Sequence, residues 1–193
     1  MLNESDTRSK LIDPALYSRG WKEDNIKREE TAGAVDMRDG KARRRGHGRM
    51  DYTLRVKVTP DSQPVAVALI EAKAEGLPAE HGLEQAKVYA ESKRMNVPFV
   101  ISTNGRKFVL FENFTFTTSK PRPMSEFPTP DELRAAYEKG MGFSLESELA
   151  KPMLSRYSGG EATRRYYQDA AIRAAFEKIA KGDKKALLAL ATG

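Results

Sequence analysis

Two charged residues stand at the end of an apolar run: "VAVALIEAK", residues 65–73, closes on Glu71 and Lys73. Strand periodicity puts residues i and i+2 on one face, so a carboxylate and an ammonium project together from a strand whose other residues ask for burial. Charges in a sheet interior are costly unless paired or bound to a metal. Upstream, Asp51 lies near the start of "RMDYTLRVKV", residues 49–58, where Met50, Tyr52, Leu54, Val56 and Val58 alternate with polar residues. That alternation predicts a half-buried strand. If the turn "TPDSQP" (59–64) makes the two strands antiparallel neighbours, the carboxylates of Asp51 and Glu71 converge. Two carboxylates, the carbonyl of Ala72 and several waters suit a hard divalent ion such as Mg²⁺, which takes octahedral oxygen coordination and keeps part of its hydration shell. Lys73 beside it could hold or deprotonate an attacking water, or steady charge growing on a phosphate. The same residues allow a plainer account, a Glu71–Lys73 salt bridge at a strand end, although residues two apart on one face are poorly placed to neutralise each other fully.

The elements that must position these groups read as follows. Asn3 or Ser5 caps a first helix, with Glu4 and Asp6 near its positive end and Leu11 and Ile12 on its apolar side. Asp13-Pro14 reads as a new cap and first helical position, so the helix is expected to break or kink there and to stop at Gly20. A weak strand spans 26–35. The continuous apolar run 65–73 is expected of a central strand covered on both faces. A helix follows over about 77–95, with Leu83, Ala86, Tyr89 and Ala90 at helical spacing. "PFVISTNGRKFVLFEN" (98–113) predicts two strands joined at Asn104-Gly105. "TSKPRPMSEFPTP" (118–130) reads as a connector running over the surface, then a short helix capped by Thr129 or Asp131 and reaching about 139. A last helix spans about 163–181, and "KKALLALATG" reads as a buried strand. The order predicts an α/β layer on a mixed sheet.

Of 193 residues, 39% are apolar and 31% charged, as for a soluble globular protein with a sizeable core. No stretch approaches the roughly 20 apolar residues of a membrane helix, and "MLNESDTRSK" lacks the apolar centre of a signal peptide. With no cysteine, thiolate zinc sites and thiol nucleophiles are excluded, and a cytoplasmic setting is expected. Formal net charge is +6, from 33 Lys and Arg against 27 Asp and Glu, which permits a polyanionic partner without demanding one. Its distribution says more: "GKARRRGHGR" (40–49) gathers Lys41, Arg43, Arg44, Arg45 and Arg49 in a Gly-bounded segment, read either as a solvated loop or as a phosphate-contacting one. His47 and His81 read as surface residues without a chemical role, and Trp21 as core or interface.

Asp51 followed by "Glu71-Ala72-Lys73" resembles the motif of the PD-(D/E)xK nuclease superfamily, with Met50 where the motif has proline. "QAKVY" supplies Gln85 and Tyr89, similar to the Q-x-x-x-Y element of the RecB-like branch; positions i and i+4 share one helix face. "NESDTRSKLIDPALYSRGW" resembles the amino-terminal helix of type I restriction enzyme R (motor) subunits. "RRYYQDAAIRAAFEKIAKGDKKALLALATG" resembles the stretch that leads into their helicase motor, with Gln168 in the place of an adenine-reading glutamine and "ATG" as the opening of a phosphate loop. The resemblance implies a restriction-endonuclease-like α/β fold, a central mixed β-sheet flanked by helices. It implies a nuclease core over 1–117, a Pro- and Gly-containing connector over 118–160, and the start of a helicase motor over 161–193, cut before the phosphate-binding lysine. It implies Mg²⁺-dependent hydrolysis of double-stranded DNA without intrinsic sequence specificity. In that family Asp51 and Glu71 would hold the metal, Lys73 would be the catalytic lysine, and Gln85, Tyr89 and a first-helix acid, Glu4 before Asp6, would support them. Partners would be the specificity and methyltransferase subunits of a restriction complex, and ATP would bind only the full-length protein. Two other readings remain: a non-catalytic DNA-binding or docking module on the nuclease fold, and the nuclease domain of a DNA-repair helicase.

Overall fold

The computed structural model describes residues 1–32, 35–38, 41–44, 48–91, 96–156 and 166–187; for 30–32, 35–38, 41–44, 48–49, 88–91 and 166–169 it describes the backbone path alone. In chain order the strands are β1 (Ile26–Ala32), β2 (Val35–Arg38), β3 (Lys41–Arg44), β4 (Gly48–Val56), β5 (Val65–Ala72), β6 (Phe99–Thr103), β7 (Lys107–Glu112), β8 (Thr117–Thr118) and β9 (Arg122–Pro123). The helices are α1 (Glu4–Thr7), α2 (Asp13–Ser18), α3 (Leu83–Glu91), α4 (Pro130–Met141), α5 (Lys151–Leu154) and α6 (Tyr166–Ala180). One sheet runs β1-β4-β5-β6-β7-β8, with β9 also on β7. Every pairing in it is antiparallel except β5–β6, so the sheet is mixed, as the order of elements predicts.

β5 sits at the middle, and all eight of its residues are buried. One face carries Tyr52, Leu54 and Ile70 against Ile12, Leu16, Trp21, Leu133 and Tyr137. The other carries Met50, Leu69 and Val100 against Leu83 and Ala86 of α3. The α3 helix is shorter than the 77–95 expected: a 3₁₀ turn, Ala79–Gly82, precedes it, and its end beyond Glu91 lies outside the described residues.

The first helix is not broken at Asp13. It passes from α1 through a π-helical turn, Arg8–Ile12, directly into α2, with Asp13 itself helical. Pro14 has no N–H and its ring crowds the carbonyl four residues back; the wider π turn absorbs both without ending the helix. Asn3 is the cap, its side chain accepting the Asp6 N–H at 2.8 Å. Gly20 stops the helix in the left-handed region, φ +87°, which glycine enters without steric cost.

Three further expectations change. Within the basic segment, residues 41–44 form β3, paired antiparallel with β2 as a separate two-stranded ribbon, and Gly48 and Arg49 open β4; 40 and 45–47 lie outside the described residues. The 118–130 segment does not merely cross the surface. Phe127 and Met124 are buried in the main core, and Trp21, only 1% exposed, donates its indole N–H to the Pro128 carbonyl at 2.8 Å. Burying an apolar side chain of that size contributes about 2–3 kcal/mol, enough to dock a proline-rich segment. Residues 184–187 form no strand and Leu187 is 94% exposed; 188–193 lie outside the described residues.

α4 opens with the capping box Thr129–Glu132 and ends on Gly142 in the left-handed region. Its Leu133 and Tyr137, together with Leu145 and Met153, belong to the same core as β4 and β5, so one core draws on residues from both sides of position 117. α6 joins it through Arg173, which donates to the carbonyls of Ala66 at 3.3 Å and Asn96 at 2.8 Å.

Candidate functional site

The β4–β5 ladder runs Tyr52↔Ile70, Thr53↔Leu69 and Leu54↔Ala68. Past Tyr52, a side chain takes over from the backbone: Asp51 Oδ2 accepts the Ala72 N–H at 2.7 Å. Asp51 is therefore fixed to the end of the strand that carries Glu71, and both are buried, 8% and 5% exposed. β6 holds the other side of β5 in parallel register, with Glu71 beside Ser102. Lys73 lies one residue past the end of β5, its backbone N–H donating to the Thr103 carbonyl at 2.8 Å. Off the pleat, its side chain folds back and donates to Glu71 Oε1 at 2.6 Å. Glu71 and Lys73 therefore pair, because strand geometry ends at Ala72, but the pair is not a full neutralisation: burial still outweighs Lys73 at the Glu71 carboxyl.

The electrostatics are those of crowded negative charge. Burial pushes the Glu71 carboxyl up to about 7, Lys73 pulls it back, and Asp51 pushes it further up. Burial also raises Asp51, against the Ala72 N–H and the Arg8 charge, with Glu4 adding to the rise. For Lys73, burial works to lower the ammonium, but its hydrogen bond to Glu71 and the surrounding acids hold it above the ordinary lysine value. Glu4 acts on all three groups, whereas Asp6 pairs with Lys10 at 2.9 Å. The charge of Glu4 is thus felt at the site, while that of Asp6 is engaged by Lys10.

The first helix is stapled to the chain just past Lys73. Thr7 Oγ1 accepts the Glu75 N–H at 3.1 Å, and Glu75 Oε2 accepts the Leu2 N–H at 2.9 Å. Gln85 is exposed, in the first turn of α3. Tyr89 belongs to α3 and Gln168 to α6, and both side chains lie outside the described residues, as do those of Lys41, Arg43, Arg44 and Arg49 and all of Arg45 and His47. His81 is exposed in the 3₁₀ turn.

Three residues at the site are not apparent from the sequence patterns. Arg8, at the start of the π turn, places Nη1 3.1 Å from Asp51 Oδ1; its four-residue spacing from Glu4, which puts both on one helix face, is the only signal. Gly82 covers Glu71 and Lys73. A Cβ there would lie 2.8 Å from Glu71 Cγ and from Lys73 Cε, and 2.9 Å from Ser102 Oγ. Ser102, fully buried, accepts the Gly82 N–H at 3.1 Å and so holds the turn over the site. Close approach of this kind has no periodicity to read.

No protein-family model matches the chain. The type I restriction enzyme EcoAI endonuclease subunit of Escherichia coli is 31% identical over 199 aligned residues, which take in all of this chain and 24% of that subunit. The type I restriction enzyme EcoKI endonuclease subunit of Escherichia coli strain K12 is 24% identical over 248 aligned residues, again all of this chain and 20% of that subunit. A solved fragment described as an HsdR subunit of a type I restriction enzyme from Vibrio vulnificus YJ016 superposes with a TM-score of 0.76 at 33% identity, over 100% of this chain and 35% of that one. The chain thus spans a fifth to a quarter of the length of the curated relatives it matches. In sequence and in its mixed α/β fold, of restriction-endonuclease-like type, the chain is homologous along its whole length to part of the endonuclease (HsdR) subunits of type I restriction enzymes.

Proposed function

We propose that the chain is the nuclease domain of a type I restriction enzyme endonuclease subunit, hydrolysing phosphodiesters of double-stranded DNA with Mg²⁺ and with no sequence preference of its own. The observation that carries this reading is the meeting of two buried carboxylates and an ammonium at the end of β4 and β5. The residues present fit such an ion. Burial raises both Asp51 and Glu71, and the charges of neighbouring acids, Glu4 on both and Asp51 on Glu71, raise them further; a bound cation would relieve both effects. Among the described residues no three His, Cys, Asp or Glu gather into a metal cage, so Asp51 and Glu71 would be the acidic ligands. Held by Asp51, Glu71 and the Ala72 carbonyl, the ion would supply Lewis-acid stabilisation of phosphate oxygens.

The chain's own residues do the rest. Lys73 remains an ammonium at neutral pH; it donates hydrogen bonds to the attacking water and to a non-bridging phosphate oxygen, orienting the first and stabilising the second. Glu71 fixes Lys73 Nζ, and Gly82 leaves room for both. Gln85 and Tyr89 support the site from α3. Lys41, Arg43, Arg44, Arg45 and Arg49 make salt-sensitive phosphate contacts. Specificity belongs to the specificity and methyltransferase subunits of the complex, since the chain carries no recognition-helix or zinc-finger signature. Residues 161–193 lead into an ATP-driven motor, with Gln168 at the adenine, in a longer cytoplasmic protein.

A second reading, a non-catalytic docking module, is favoured by one observation: the 2.6 Å Glu71–Lys73 contact is also what an inert ion pair looks like. Supercoiled-plasmid cleavage with Mg²⁺ by the assembled enzyme separates the two. The nuclease reading expects Lys73→Ala to abolish nicking and linearisation with folding unchanged; equal cleavage by wild type and variant would overturn the catalytic assignment.

A further inference from the structure

Arg8 touches the candidate site, and the hydrolysis proposed above gives it no task. Its Nη1 is 3.1 Å from Asp51 Oδ1 and its Nη2 3.5 Å from Glu29 Oε1. Its guanidinium carbon lies 5.4 Å from the centre of the Tyr52 ring, and the side chain is 20% exposed. Asp51 Oδ2 is already engaged by the Ala72 N–H, so Oδ1 is the oxygen best able to bind a cation, and Arg8 holds it. A divalent ion and a guanidinium on one carboxylate oxygen repel each other. Glu29 and the Tyr52 ring do not depend on Asp51, so an Arg8 that lets go of Oδ1 stays at the mouth of the site. There its planar fork matches two oxygens of a phosphate.

We propose that Arg8 is an exchangeable counter-ion: it pairs with Asp51 until a divalent cation takes that carboxylate, then turns to a backbone phosphate of the DNA. Cation and duplex thereby strengthen each other's binding through one side chain, reciprocally as linkage requires. This rests on the metal reading of Asp51 and Glu71.

Two titrations of this chain test it. Mn²⁺ is titrated calorimetrically without DNA, and a labelled duplex is titrated by anisotropy once in Ca²⁺ and once in EDTA. Removing the competing charge, Arg8→Ala and Arg8→Gln should bind Mn²⁺ ~3- to 10-fold more tightly than wild type. In Ca²⁺ both should bind the duplex ~10-fold more weakly, having lost a charge-assisted contact. In EDTA all three should bind alike. Arg8→Lys, which keeps the charge without the fork, should match wild type on Mn²⁺ and fall short on DNA. Unchanged or weaker Mn²⁺ binding by both folded neutral variants would overturn the proposal. So would a DNA loss of equal size in Ca²⁺ and EDTA, which would make Arg8 an ordinary phosphate contact. A wild type that binds no Mn²⁺ would instead bring down the metal reading, and this proposal with it.

Discussion

Glu71 and Glu177 are both nearly sealed from solvent, 5% and 6% exposed, and burial raises the carboxyl pKa of each. Their surroundings differ. Glu177 accepts from the Tyr137 hydroxyl at 2.7 Å and lies 3.4 Å from Arg173 Nε, and Arg173 is itself tied to two backbone carbonyls. That is a closed network joining α6 to α4 and to the sheet. Among the described residues Glu71 pairs with Lys73, and it stands in the fields of two further acids, Asp51 and Glu4. A buried carboxylate with a cation beside it is therefore not in itself a sign of chemistry. Like charges gathered where the structure gains nothing from gathering them are such a sign.

The sharpest way to break this comparison is activity. In the assembled enzyme, Asp51→Asn and Lys73→Ala should each lower plasmid cleavage by ~100-fold or more, and Glu177→Gln should leave it within about twofold. Comparable losses from all three would erase the distinction. Stability should run the other way. Glu177→Ala leaves Arg173 without its buried partner and should cost about 3 kcal/mol in urea unfolding. Glu71→Gln removes a charge that folding buries at a cost, and should stabilise the chain by about 1–2 kcal/mol at pH 8.

The pH dependence follows with its sign. The Glu71 carboxyl is raised from 4.5 to about 7 on folding, so between those values the folded state holds a proton that the unfolded state has lost. Stability contributed by this group is full below pH 4.5 and falls as pH rises to about 7. Urea midpoints across that window should flatten in Glu71→Gln, and Mg²⁺ should offset the fall in wild type but not in that variant. Of similar size to the Glu71→Gln gain and opposite in sign, Gly82→Ala forces a Cβ against Glu71, Lys73 and Ser102 and should cost about 1–2 kcal/mol along with activity. Ser102→Ala removes the acceptor of the Gly82 N–H and should cost about 1 kcal/mol, seen as a lowered melting temperature.

Alternation makes β4 legible, the continuous apolar run makes β5 legible and with it the position of Glu71, and Asn104-Gly105 makes the β6–β7 pair legible. Asn104-Gly105 marks the turn, where Gly105 takes φ +80°. The basic ribbon looked like a loop because alternation among Arg and Lys carries no apolar signal. Met124 and Phe127 were hidden by prolines: composition reports what a segment cannot form, not what it packs against. For Arg8 the four-residue spacing from Glu4 says only that the two share a helix face; its reach to Asp51 also depends on the Thr7–Glu75 staple, a contact between residues 68 positions apart. Gly82 and Ser102 act through contact distances, which leave no pattern in sequence.

The most direct test of the metal reading is calorimetric titration of this chain with Mn²⁺ at pH 7.5, which needs neither motor nor partner. Wild type and Glu177→Gln should bind alike, while Asp51→Asn and Glu71→Gln should each bind ~10-fold more weakly or not at all, having lost a carboxylate ligand. Binding that survives unchanged in Asp51→Asn and Glu71→Gln would place the cation elsewhere and contradict the assignment of these two carboxylates.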